Sequence, residues 1–147
     1  YFRDKKIDKV LTVESSGIAP ALATALELEV DCVFARKKQS LTTGENYYHS
    51  SVYSFTKQVT NELIVSKDFL KEGENILMID DFLANGQAAK GMIAIVRQAG
   101  ANPAGLGIVI EKSFSEGRQL IEEMDIDIYS LARIAKLEDG EITFVEE

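Results

Sequence analysis

The segment best equipped for chemistry reads Asn75-Ile76-Leu77-Met78-Ile79-Asp80-Asp81-Phe82-Leu83-Ala84-Asn85-Gly86-Gln87-Ala88-Ala89. An apolar run ending in two adjacent acids predicts a buried strand that delivers carboxylates to the carboxyl edge of a sheet, where α/β proteins place their ligands. The small residues Ala84, Asn85 and Gly86 then let backbone N–H groups approach an anion closely. The helix predicted from Gln87 and Ala88 onward turns its positive N-terminus toward the same spot. Such a site holds a phosphate beside two carboxylates that bind hydroxyls, and a phosphorylated sugar carries both groups.

A plainer role for Asp80 and Asp81 is to cap the next helix, with Gly86 merely turning the chain. Two acids at one strand end repel each other, however, where one would suffice as a cap. The segment is not a Walker loop, since no Gly-Lys-Ser/Thr follows, and it lacks the Gly-x-Gly-x-x-Gly spacing of dinucleotide sites.

Three further clusters face the same edge of the predicted sheet. Glu14-Ser15-Ser16-Gly17 lies between a strand and a helix, where consecutive small residues form an anion nest from backbone amides; an ordinary turn with Ser as N-cap fits equally well. Arg36-Lys37-Lys38 ends a second apolar run, and its cations suit a departing polyanion, although a solvated charge run accounts for at least one of the lysines. Lys112 directly follows a third apolar run, so its ammonium is expected at the same edge; the alternative is a surface Lys neutralising Glu111.

The elements that must position these groups are read from periodicity. Strands are expected over 10–13, 31–35, 75–80, 105–111, 128–134 and 142–145, with helices over 19–28, 87–99 (stopped by Gly100) and 116–124. Residues 51–56 and 61–66 alternate as a hairpin would, and 37–49 is expected to be a long loop with Tyr47, Tyr48 and His49 at solvent-facing tips. The first residues resemble the tail of a helix, and we expect an N-terminal portion to precede Tyr1. Apolar strands alternating with helices indicate an α/β fold: one domain over 1–147 with a mainly parallel sheet flanked by helices on both faces.

Composition excludes several classes. The 147 residues carry a formal net charge of −8, which opposes broad contact with nucleic acid. No apolar run is long enough to span a membrane, and the basic start lacks the apolar core of a signal peptide. Cys32 is the only cysteine, expected as a small core hydrophobe, which suits a reducing, cytoplasmic setting. With His49 as the only histidine and no nucleophile elbow, a Ser-His-Asp hydrolase is not indicated.

The run from Ile79 to Ala88 resembles the phosphoribosyl pyrophosphate (PRPP) motif of type I phosphoribosyltransferases, and is most similar to the branch of that family acting on xanthine. Asn85 and Ala88 stand where the wider family commonly has hydroxyl residues, and both replacements are normal in that branch. The resemblance extends over essentially the whole chain. It implies the type I fold with a small hood, here incomplete, and Mg²⁺ held through substrate and water rather than by a protein cage. It also implies a homodimer, with Arg36 and Lys37 able to reach a neighbouring subunit's site. Asp80 and Asp81 would hold the ribose hydroxyls. Ala84, Asn85, Gly86, Gln87 and Ala88, together with Ser15, Ser16, Gly17, Arg36 and Lys37, would bind PRPP. Lys112 would bind the base, since a donor-only cation suits the carbonyl oxygens of xanthine but not the amino group of adenine. The stretch 51–58 would be the far side of a loop closing over the sugar. Two alternatives remain: a phosphoribosyltransferase of another base, or a non-catalytic regulator that senses PRPP.

Overall fold

The computed structural model describes residues 1–38, 46–54 and 57–146. Its main sheet has six strands: β1 (Lys9–Val13), β2 (Asp31–Ala35), β5 (Asn75–Leu83), β6 (Asn102–Lys112), β7 (Ile128–Glu138) and β8 (Glu141–Phe144). Their order is β2-β1-β5-β6-β7-β8, parallel throughout except for β8, which folds back antiparallel on β7. A separate hairpin is formed by β3 (Tyr47–Ser54) and β4 (Val59–Ser66). The helices are α1 (Ile18–Leu28), α2 (Gln87–Gln98) and α3 (Gly117–Glu122). The expected α/β architecture with a mainly parallel sheet is what the chain forms.

The sheet's two faces carry separate apolar clusters. Ile93, Ile95 and Val96 of α2 and Ile121 of α3 pack with Leu11, Met78, Leu106 and hairpin residues Leu63 and Val65 on one face. On the other, Ala21 and Ala25 of α1 meet Val10, Leu77, Ile79 and Phe2. Phe2 lies in a trough that glycines leave in β6: a Cβ at Gly105 would sit 2.6 Å from its ring. Pro20 falls in the first turn of α1, where its missing N–H costs nothing. Helix α2 closes as expected at Gly100, whose φ of +68° permits the terminating turn. No described helix is long and apolar enough to cross a membrane.

Several boundaries differ from expectation. The opening segment is a single 3-10 turn, Arg3–Lys5, rather than the tail of an α-helix. Tyr47, Tyr48 and His49 are not loop tips: β3 begins at Tyr47 and pairs with β4 from that residue on. Strand β5 does not stop at Asp80 but continues to Leu83, because Asp80, Phe82 and Leu83 pair with Ile108, Ile110 and Glu111 of β6. Backbone pairing is indifferent to side-chain polarity, so acids do not end a strand that still has β6 to pair with. Strands β6 and β7 also outrun their apolar cores, and α3 is shorter than the predicted 116–124. Cys32 is half-buried in β2, and its burial pushes the thiol up. The predicted loop's residues 39–45 lie outside the described residues, as do Phe55 and Thr56.

Candidate active site

The carboxyl ends of β1, β5 and β6 border a cavity of about 290 Å³. Val13, Asp80, Phe82, Leu83 and Ile108 line it from the sheet. Ala84, Asn85, Gly86, Gln87, Ala88 and Ala89 form a second wall, and Val52, Tyr53, Ser54, Asn61 and Leu63 of the hairpin a third, with Lys37 at the rim.

The turn between β5 and α2 is tightly determined. Gly86 adopts φ +81°, a left-handed conformation that favours glycine. The Asn85 side-chain oxygen accepts the N–H of Gln87 at 3.2 Å, and the carbonyl of Gly86 accepts the N–H of Lys90 at 2.9 Å. First-turn amides have no acceptor within their own helix, so α2 offers donors to an anion here. From behind, the N–H of Gly117 donates to the carbonyl of Ala84 at 2.9 Å. A Cβ at Gly117 would come within 2.4 Å of that same oxygen, so α3 touches the turn backbone to backbone.

Asp80 is buried, with 8% of its surface exposed. Burial pushes its carboxyl up, the neighbouring Asp81 side chain adds to this, and the Asp81 N–H and Lys37 pull the other way, leaving it at about 7. The Asp81 N–H donates to Asp80 Oδ1 at 2.9 Å. Asp81 itself is half-buried and does not line the cavity, since successive residues of a strand point to opposite sides.

The turn after β1 reaches Asp80 from the other side. The Glu14–Ser15 peptide is cis. Ser15 and Ser16 are exposed and do not line the cavity. Neither caps α1: Gly17 occupies the N-cap position, and no side chain bonds the helix start. Gly17 is buried, and a Cβ there would lie 2.3 Å from Thr12 Oγ1 and 2.9 Å from Asp80 Oδ1. Glu14 accepts the N–H of Lys37 at 2.7 Å, which links this turn to the basic stretch.

Of that stretch, Lys37 alone lines the cavity; Arg36 lies over the ring of Phe34 at 5.6 Å, and Lys38 is exposed. Arg36 also anchors the hairpin, exchanging two backbone hydrogen bonds of 2.9 Å with Ile64. On the hairpin's other side, Gly91 of α2 lets Val52 and Leu63 approach: a Cβ at Gly91 would sit 2.4 Å from Val52. Lys112 is half-buried, with its ammonium 5.3 Å from the centre of the Phe82 ring, and reaches the cavity's border through that ring. It does not neutralise Glu111, which is paired with Arg118.

A family model described as a phosphoribosyl transferase domain matches residues 1–135. The chain belongs to the phosphoribosyltransferase family. Xanthine phosphoribosyltransferase of Listeria innocua is 58% identical over 146 residues, covering 99% of this chain and 76% of the relative. The enzyme of that name from Bacillus cytotoxicus is 56% identical over 145 residues, covering 99% and 74%. Among solved structures, adenine phosphoribosyltransferase from Rhodothermus marinus superposes with a TM-score of 0.80 at 25% identity, over 90% of this chain and 73% of that one. The Giardia lamblia enzyme complexed with 9-deazaadenine gives 0.81 at 24% over 92% and 74%, a likeness of fold.

The phosphoribosyltransferase thus brings Asp80, Lys37 and the 84–88 turn to one cavity, with Gly17 packed behind Asp80. Asp81, Ser15, Ser16, Arg36 and Lys112 stand around it without lining it. Sequence reasoning passed over Asn61 and Gly117. Asn61 sits in an alternating strand with nothing to distinguish it. Gly117 follows a turn and looks like any helix start.

Proposed function

We propose that this phosphoribosyltransferase joins xanthine to the 5-phosphoribosyl group of PRPP, yielding xanthosine 5′-phosphate and pyrophosphate. Identity above 50% to xanthine phosphoribosyltransferases over nearly the whole chain supports the base. The observation that carries the reading is a buried carboxylate, Asp80, beside a glycine turn that opens a helix, in a cavity bordered by Lys112 through Phe82.

The 84–88 turn and the start of α2 take the 5-phosphate through backbone amides. Asp80 holds the ribose hydroxyls from within the cavity, and its charge with that of the neighbouring Asp81 favours positive charge on the ring. The bond from C1 to the pyrophosphate oxygen breaks, a purine nitrogen bonds to C1 from the opposite face, and the proton from that nitrogen passes to solvent. Lys37, with Arg36 behind it, stabilises the leaving pyrophosphate, and the 15–17 turn offers it backbone donors. Lys112 donates to a carbonyl oxygen of xanthine. The hairpin wall, with Val52 and Leu63, keeps water from the charged ring.

Among the described residues no group of three or more His, Cys, Asp or Glu side chains could hold a metal ion. Asp80 and Asp81 nonetheless supply hard oxygen donors of the kind Mg²⁺ accepts alongside substrate phosphates and water. The ion would be held through PRPP and water with Asp80 beside it, and when bound it would neutralise charge on the pyrophosphate. We take the active form to be a homodimer, on the family resemblance of the Arg36–Lys37 stretch, and its setting to be the cytoplasm, which the lone Cys32 suits.

Initial rates with xanthine, hypoxanthine, guanine and adenine, each with PRPP and Mg²⁺, test the reading. Xanthine should be preferred, and EDTA should abolish turnover until Mg²⁺ is restored. Activity on adenine with none on xanthine overturns the choice of base. Tight PRPP binding with no turnover on any base favours a sensing role.

A further inference from the structure

Glu111 has no part in the reaction just described, yet it is fully enclosed at the carboxyl end of β6. A buried carboxylate is costly unless it is paired and hydrogen-bonded. Here Arg118 grips it with two bonds, Nε to Oε1 at 2.8 Å and Nη2 to Oε2 at 2.7 Å. Ser130 donates to Oε2 at 2.5 Å and Ser113 to Oε1 at 3.0 Å. Four hydrogen bonds thus converge on one side chain.

The partner leads to the active site. Arg118 immediately follows Gly117, whose N–H bonds the carbonyl of Ala84. The Cα of Gly117 would lie 3.1 Å from a Cβ at Gly86. Helix α3 has only six residues, too few to hold its place by helical hydrogen bonding alone. Its contact with the turn is backbone on backbone, so a displacement of α3 passes to Ala84 and Gly86 without slack. Buried ion pairs add little stability over an apolar pair of equal volume. The planar, two-point geometry of Arg on carboxylate fixes orientation instead.

We propose that Glu111 and Arg118 are positioning residues: they fix the first residue of α3 so that Gly117 holds the 84–86 turn in the shape that binds the 5-phosphate of PRPP. This rests on the assignment of that turn to the phosphate.

The test is PRPP affinity by titration calorimetry with Mg²⁺, read without any base, so that a wrong choice of purine leaves it intact. Arg118→Met should weaken PRPP binding about tenfold or more, as small misplacements of a binding group do. Arg118→Lys, which keeps the charge but loses the two-point grip, should fall between Arg118→Met and the parent. Glu111→Gln should follow Arg118→Met where it folds. Gly117→Ala, which leaves the ion pair in place and presses on Ala84, should weaken PRPP as well. Val10→Ala, a core change on the opposite face of the sheet, serves as the control for a general loss of stability and should leave PRPP affinity unchanged. Arg118→Met that lowers the melting temperature but keeps the parent affinity makes the pair merely structural and overturns the inference. If Gly86→Ala also keeps the parent affinity, the phosphate assignment falls, and the inference with it. If Gly86→Ala weakens PRPP while Arg118→Met does not, the inference alone fails.

Discussion

Gly17 is packed so closely on Asp80 that a Cβ at position 17 would sit 2.9 Å from the carboxylate Oδ1, with Thr12 Oγ1 nearer still at 2.3 Å. The φ of Gly17 is −73°, which any residue adopts, so space rather than backbone conformation calls for glycine here. Gly17→Ala should therefore destabilise the fold by about 1–3 kcal/mol through overpacking. It should also displace Asp80 and weaken PRPP. Thermal melting and calorimetry on the same sample check both effects.

Asp80 should impose a pH dependence of its own. Its carboxyl is raised from 3.8 to about 7, so the folded protein binds a proton that the unfolded chain releases. That contribution to stability is full below pH 4 and is lost as pH rises through 7. Asp80→Asn should accordingly raise the melting temperature at pH 8 and change it little at pH 4. Accepting hydrogen bonds from the ribose hydroxyls and favouring charge on the ring need the ionised form. The kcat/KM for PRPP should thus rise through an acid limb near pH 7, and Asp80→Asn should lose both that limb and most activity.

Glu111 behaves oppositely. Burial alone would raise its carboxyl, but hydrogen bonds from Arg118, Ser130 and Ser113 hold it at about 2. Its pH-dependent contribution is present above the unfolded value of 4.5 and is lost as pH falls toward 2. Acid unfolding monitored between pH 5 and 2 should therefore begin at higher pH in Arg118→Met than in the parent.

Lys112→Met should separate the two substrates. Losing a charged hydrogen bond to the base is worth about 1.5–3 kcal/mol, a rise in KM for xanthine of roughly ten- to a hundredfold. PRPP affinity should stay near the parent's. Steady-state kinetics with each substrate varied in turn decide it; an unchanged KM for xanthine removes Lys112 from the base site.

Much of this was legible in the residues. The alternation of apolar runs with helical periodicity is strong enough to reveal the parallel sheet, and Asp80 with Gly86 marks the cavity because no ordinary turn needs both. Boundaries were less legible: β5 runs past its acids through pairing with β6, which no local pattern shows. Tyr47 and His49 read as loop residues because their partners, Ser66 and Ile64, are distant in sequence. Glu111 looked like a surface acid for Lys112 to neutralise. Its burial depends on Arg118 from another element and Ser130 from another strand, and such a meeting is visible only in three dimensions.

The strand order also sets a timetable for synthesis. Strand β1 emerges early with β2 as its neighbour, but its other edge must wait for β5, and the glycine trough that receives Phe2 belongs to β6. Roughly a hundred residues separate Phe2 from its seat, which at ribosomal rates of about 5–20 residues per second is on the order of 5–20 seconds. For the earlier part of that interval, until β5 is made, Val10 and Leu11 lack the strand that pairs with them. The nascent chain therefore carries an unpaired apolar edge while the later strands are made, and shielding it during translation is a need written into the topology.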